Sequence, residues 1–241
     1  MTEERPGPRG RGPALQRRAR ASHSIEAVLA GAVEILDESG AQGLTTRALA
    51  ARLGGGPASI YWYVSGRDEL LDLAADSVLG GVLVAVAGVG EDGAGDPIAD
   101  LRTIAVAMFD AIVDRPWLGA YAMRDTGRQV HSLQLYEKMG EQVMRLGLTP
   151  TQCFHATSAI VGFVIGTAAD MGQQLPAAVA SGSVTRAEYL GGAVAEWRRL
   201  DPAEYPFIHH IVDEFAVHDD RDQFRAGLDL LLDGLRLSAQ R

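Results

Sequence analysis

The chain has 241 residues, of which 47% are hydrophobic and 22% charged, with one cysteine and a net charge of −9. That length suits one compact domain or two small ones, and the apolar fraction excludes a largely disordered chain. Cys153 has no second cysteine to bridge, and no purely apolar run is long enough to span a bilayer, so a soluble cytoplasmic protein without membrane contact is expected.

Charge is unevenly spread. Residues 1–20 hold six arginines against two glutamates, among many prolines and glycines, and residues 1–22 are predicted to be a disordered basic arm. Residues 21–80 hold three basic and eight acidic side chains, and residues 81–241 hold thirteen and twenty-one. The arm is therefore the main source of positive charge in the N-terminal part.

From Ile25 the apolar positions 25, 28, 29, 32, 35 and 36 mark one face of a helix, and Gly40 is placed to end it. Thr45 is a predicted N-cap for a second, short helix, with Leu44 and Leu49 as a hydrophobic staple and the glycines at 54–56 as its stop. Pro57 suits the first position of a third helix, predicted to reach Val64. Ser65 and Asp68 read as a shortened capping box for a fourth helix over about 66–86.

A Gly- and Asp-rich break at 88–96 divides this unit from the rest. Asp96-Pro97 then opens a helix with apolar positions 98, 101, 104, 105, 108 and 112, and Pro116 opens a short one. Further helices are predicted over 126–146, 150–171, about 186–200, 206–217 and 222–238. No strand alternation appears, so the fold class is all-α. The predicted organisation is an arm over 1–22, a three-helix unit with a linking fourth helix over 23–86, and a further α-helical domain over 87–241.

Two short helices joined by a glycine turn and braced by a third are the layout of a helix-turn-helix DNA reader. A recognition helix enters the major groove by its N-terminal end, so small residues belong outermost, and Pro57, Ala58 and Ser59 meet that need. Ile60 and Val64 are the predicted anchors to the core. Tyr61, Trp62 and Tyr63 point about 100° apart on a helix and cannot all be buried.

The stretch GLTTRALAARLGGGPASIYWYVSGRDELLDLAAD resembles the tetracycline-repressor (TetR) family of transcription regulators, and FRAGLDLLLDGL near the C-terminus resembles the family's all-α effector domain. The resemblance implies that Thr45, Thr46, Arg47, Ala58, Ser59, Tyr61, Trp62, Tyr63 and Arg67 contact DNA. Arg47 would reach a base, Thr46, Tyr61 and Arg67 would hold phosphates, and Ser59, Trp62 and Tyr63 would lie in the major groove. Pro57 and Ala58 stand where a polar reader is more usual, so no operator sequence carries over. The resemblance further implies a homodimer on a palindromic operator in double-stranded DNA, built by the 150–171 helix and the last helix, whose Phe224, Leu228, Leu231 and Leu235 form an apolar seam.

It also implies a small-molecule effector, with Phe109, Trp117, Tyr121, Met123, Tyr136, Phe163 and Asp170 as candidate pocket residues. The tetracycline repressor holds a magnesium–drug complex through a histidine after the short helix and an acid late in the long one. Asp170 falls near that acid, but WLGAYAMRD contains no histidine, so an apolar or aromatic effector without a metal or cofactor is expected. Two alternatives stand beside the ligand-responsive repressor. One is an activator or architectural DNA binder without an effector; the other is a metal-dependent helical enzyme using His209, His210, Asp213, Glu214 and His218.

Overall fold

The computed structural model describes residues 23–91, 93, 95–122, 129–171, 179 and 182–240. Among these residues there are eleven helices and no strand. We number them α1 (Ile25–Gly43), α2 (Thr46–Arg52), α3 (Pro57–Ile60), α4 (Arg67–Ala85), α5 (Pro97–Val113), α6 (Pro116–Ala122), α7 (Val130–Met144), α8 (Pro150–Met171), α9 (Arg186–Trp197), α10 (Pro206–Val217) and α11 (Asp220–Ala239).

Local chemistry sets most of the boundaries. Ser24 caps α1, accepting from the Ala27 amide at 3.2 Å, and α1 breaks at Gly40, which takes φ = 64°. Thr45 caps α2 by accepting from the Ala48 amide at 3.0 Å, while the staple residues Leu44 and Leu49 are fully buried. The turn after α2 is a Schellman motif: Gly54 has φ = 70°, its amide donates to Ala51, and the Gly55 amide reaches back to Ala50 at 2.8 Å. A β-carbon on residue 54 would strain that left-handed backbone, which is why the glycine run stops the helix so sharply.

Two predicted boundaries are corrected. The third helix keeps α geometry only to Ile60, because the chain tightens there: the amides of Tyr63 and Val64 both donate to the Ile60 carbonyl, and residues 61–63 form a turn. The box before α4 closes on Glu69 rather than Asp68, with the Ser65 amide and hydroxyl each 2.6 Å from Glu69 Oε2. Those two bonds, the hydroxyl's first, hold the Glu69 carboxyl below the usual range.

α1, α2, α3 and the start of α4 pack as one head. The apolar positions foreseen for α5 (98, 101, 104, 105, 108 and 112) are all buried, and α5 packs on α8, α7, α4, α6 and α11 to form the body. Burying one such side chain contributes about 1.5–3 kcal/mol. α4 belongs to both halves, packing on α1 at one end and on α7 and α5 further along. The Gly- and Asp-rich break is tied down from α7, where Arg145 donates to the carbonyls of Gly93 and Gly95 and pairs with Asp100 at 2.8 Å.

The seam foreseen on the last helix is divided. Phe224 and Leu228 fill the body's core, Phe224 stacking on Phe109 with centroids 3.6 Å apart, whereas Leu231 and Leu235 border an outer groove against Ala156, Ala159 and Ile160. By length and composition α8 would also pass as a membrane span. Here it packs against α5, α6, α7 and α11, and its outer side exposes Ser158, Ala159, Gly162 and Gly166. α9 and α10 pack chiefly on each other, through Val194, Val212 and the stacked pair Trp197–Phe215, apart from the main core.

Candidate nucleic-acid interface and effector pocket

The head spends most of its cations on itself. Its three are Arg47, Arg52 and Arg67. Arg52 bridges α2 to α1, pairing with Glu34 at 3.0 Å and more tightly with Glu38; its hydrogen bond to Glu38 holds that carboxyl below the usual range. Arg67 donates to the carbonyls of Leu44, at 3.0 Å, and Ala41, so it clasps the α1–α2 corner to the start of α4. The phosphate role inferred for Arg67 is therefore met by a guanidinium already engaged with the backbone. Among the described residues Arg47 makes no ion pair, and its side chain faces solvent.

Beside Arg47 the structure brings together two residues fifteen positions apart: the hydroxyls of Thr46 and Tyr61 lie 3.5 Å from each other. Tyr61 is 57% exposed and Trp62 81%, which is costly for an aromatic ring unless a partner covers it. Ala58 is exposed and Ser59 half-buried, with the Ser59 hydroxyl donating to the Gly56 carbonyl at 2.7 Å. Thr45 is exposed, but its hydroxyl oxygen is the α2 cap. Tyr63 differs from its neighbours, being half-buried with its hydroxyl donating to the His23 carbonyl. The same His23 approaches the glycine turn, where a β-carbon on Gly55 would come 3.6 Å from its Nε2. The chain thus enters α1 right beside the turn and the aromatic run.

The body contains a cavity of about 320 Å³ lined by Leu79, Met108, Ile112, Leu118, Tyr121, Ala122, Ser132, Leu133, Leu135, Tyr136, Met139, Val161 and Ile165. Its walls come from α4, α5, α6, α7 and α8. Among the described residues no charged side chain lines it, and the side-chain oxygens they bring to it are the hydroxyls of Tyr121, Ser132 and Tyr136.

Of the pocket residues inferred from the sequence, Tyr121 and Tyr136 line this cavity, and the others described do not. Phe109 and Phe163 flank Phe224 in the core. Trp117 donates its indole N–H to Asp37 Oδ1 at 2.7 Å and so ties α6 to α1. Asp170 is exposed near the end of α8, and Met123 lies outside the described residues. The residues missed are apolar apart from Ser132, and in a sequence a wall leucine carries the same periodic signal as a core leucine.

His209 in α10 and His218 at its C-terminal cap have local partners: His209 Nε2 lies 2.8 Å from the Leu200 carbonyl, and His218 sits against Asp220 at 3.1 Å and the Phe215 carbonyl at 2.7 Å. Among the described residues no group of three His, Cys, Asp or Glu side chains is placed to hold a metal ion.

Comparison with known proteins places this geometry. Residues 28–74 match the family described as bacterial regulatory proteins, tetR family, and residues 89–238 match the tetracyclin repressor-like C-terminal domain. The HTH-type transcriptional repressor DrrR1 of Streptomyces coeruleorubidus is 30% identical over 220 residues, covering 90% of this chain and 79% of its own. Among solved structures, SCO7222, a TetR from Streptomyces coelicolor, superposes with a TM-score of 0.74 at 35% identity, over 89% of this chain and 98% of that one. ActR from the same organism, in complex with actinorhodin, shares the fold with a TM-score of 0.76 at 22% identity, over 91% and 99%.

Proposed function

The chain belongs to the TetR family of bacterial transcription regulators, and on that premise we propose that it is a repressor that reads a palindromic operator as a homodimer and releases it when an uncharged, largely apolar small molecule fills the α4–α8 cavity. The observation that carries the DNA-facing part is the exposed set Arg47, Tyr61 and Trp62 on a head whose other cations are bonded internally.

In this reading the Arg47 guanidinium reads a guanine edge, the paired hydroxyls of Thr46 and Tyr61 hold one phosphate, and Trp62 packs in the major groove behind Ala58 and Ser59. Tyr63 serves chiefly as a clasp, and Arg67 as a brace for the head. One free arginine gives the head little attraction for a polyanion. The arginines of residues 1–20 supply it, and the place of His23 beside the glycine turn supports delivering them to the same DNA.

The exposed small residues of α8 and the groove bordered by Leu231 and Leu235 support pairing of two copies through α8 and α11. For the effector, the lack of charged side chains among the described lining residues favours a neutral molecule, with hydrogen bonds to Tyr121, Ser132 and Tyr136 to orient it.

The test is fluorescence anisotropy of the purified protein on the intergenic DNA upstream of its own gene, at two salt concentrations and with random competitor. Tight binding that survives competitor and localises to a palindrome is expected. Weak binding abolished by modest salt would mean that only charge holds the DNA, and would overturn the sequence-reading roles of Arg47 and Trp62.

A further inference from the structure

α7 begins without a cap of its own. Gln129 precedes it in an extended conformation and gives its first turn no side-chain hydrogen bond. The acceptor comes from another helix. Asp76, midway along α4 and only 6% exposed, accepts through Oδ1 from the main-chain N–H groups of His131 at 2.9 Å and Ser132 at 3.1 Å. Its Oδ2 lies 2.9 Å from Nδ1 of His131, which is also 3.0 Å from the Asp76 carbonyl. With acceptors on both sides, Nδ1 is the ring nitrogen that donates. Gly80, one turn along α4, leaves room for that ring, since a β-carbon there would sit 3.0 Å from its Cε1.

The turn held in this way is also a wall of the cavity, through Ser132 and Leu133. The helix that holds it carries the DNA-reading head at its other end, where Arg67 is clasped to the α1–α2 corner. A buried carboxylate that loses its donors is left unpaired in a poorly solvating site, so moving α4 along with α7 costs less than parting them.

We propose that Asp76 is the positioning residue through which occupancy of the cavity reaches the reading head. Displacement of the first turn of α7 by a bound molecule is passed to α4 through the two amides and the imidazole that Asp76 holds. This rests on the effector reading above, and its test separates the two.

Full-length wild type, Asp76→Asn and Asp76→Ala are compared with N-phenyl-1-naphthylamine, an uncharged aromatic fluorophore, as the probe. Fluorescence reports filling of the cavity, amide hydrogen exchange reports α4 and α7 separately, and circular dichroism melts confirm folding. In wild type the saturating probe is expected to change exchange both at 131–134 and along 74–80. Asp76→Asn, which keeps an acceptor oxygen, retains both responses, whereas Asp76→Ala retains the first and loses the second. Without probe, Asp76→Ala speeds exchange of the 131 and 132 amides about tenfold. An α4 response that survives in Asp76→Ala overturns the proposal, as does a silent α4 in saturated wild type. Should the probe show no saturable binding to wild type, the cavity reading fails; unchanged exchange at 131 and 132 in probe-free Asp76→Ala would then overturn the link as well, and the tenfold rise would uphold it.

Discussion

In the head, the aromatic rings proposed to meet DNA stand in water: Trp62 is 81% exposed and Tyr61 57%. In the body Phe109 and Phe224 stack face to face in the core, and the proposed site is a cavity walled mostly by apolar side chains. The head announces its partner by what it leaves unpaired, and the body by what it leaves unfilled. Unpaired groups can be traced one residue at a time, because each arginine or tryptophan either has a partner or lacks one. A cavity has no such owner, being the joint product of five helices.

This contrast predicts opposite consequences for similar truncations. The largest effect belongs to Phe224→Ala, which empties a stacked core position and is expected to cost about 3–5 kcal/mol in urea unfolding, with little change in operator affinity per folded molecule. A loss below about 1 kcal/mol would mean that the two rings do not organise the body.

Ala159→Arg places a charge on the small-residue side of α8 and is expected to weaken self-association at least about a hundredfold, read as a monomer by sedimentation with the helical content unchanged. A dimer of unchanged affinity would move the interface elsewhere.

Arg47→Ala reverses the pattern of Phe224→Ala. It should leave unfolding within about 0.5 kcal/mol of wild type and cost about 1–3 kcal/mol of specific operator binding, measured by anisotropy. Arg67→Ala sharpens the comparison inside the head itself. Its two backbone bonds predict a loss of about 1 kcal/mol in stability, discounted for its exposure, and a smaller loss of specificity than at Arg47. Equal effects at the two arginines would erase the distinction between a reader and a brace.

The smallest expected effect is on pH dependence. The Asp229 carboxyl is held below the ordinary aspartate range by its hydrogen bonds from Arg102, which join α11 to α5. A carboxyl so depressed adds stability above its unfolded-state pKa, and that stability fades as pH falls through the lower folded value. Asp229→Asn should therefore lower stability slightly at neutral pH, where that contribution is present, and flatten the acid side of the stability profile below about pH 4. An unaltered acid limb would show that this half-exposed pair contributes nothing measurable.

The helices were legible because their causes are local. Thr45, Gly54 and Asp96-Pro97 each act within a few residues, and the structure bears them out. That the rings of Tyr61, Trp62 and Tyr63 would not all be buried was legible too, but which one turns inward was not. Where a local rule misled, a competing partner won: Glu69 took the Ser65 hydroxyl, and the Ile60 carbonyl drew the chain out of α geometry before Val64.

Residue order along the chain was thus enough to set the all-α class and most of the caps, because periodicity, capping and side-chain chemistry act over one or two turns. It could not apportion interactions between distant residues. That Arg67 is engaged while Arg47 is free, that Trp117 binds Asp37 rather than an effector, and that Asp76 caps a helix beginning more than fifty residues later all depend on which helices lie side by side. Those neighbours are chosen by burial of the whole apolar surface at once, and the cavity's walls are chosen with them.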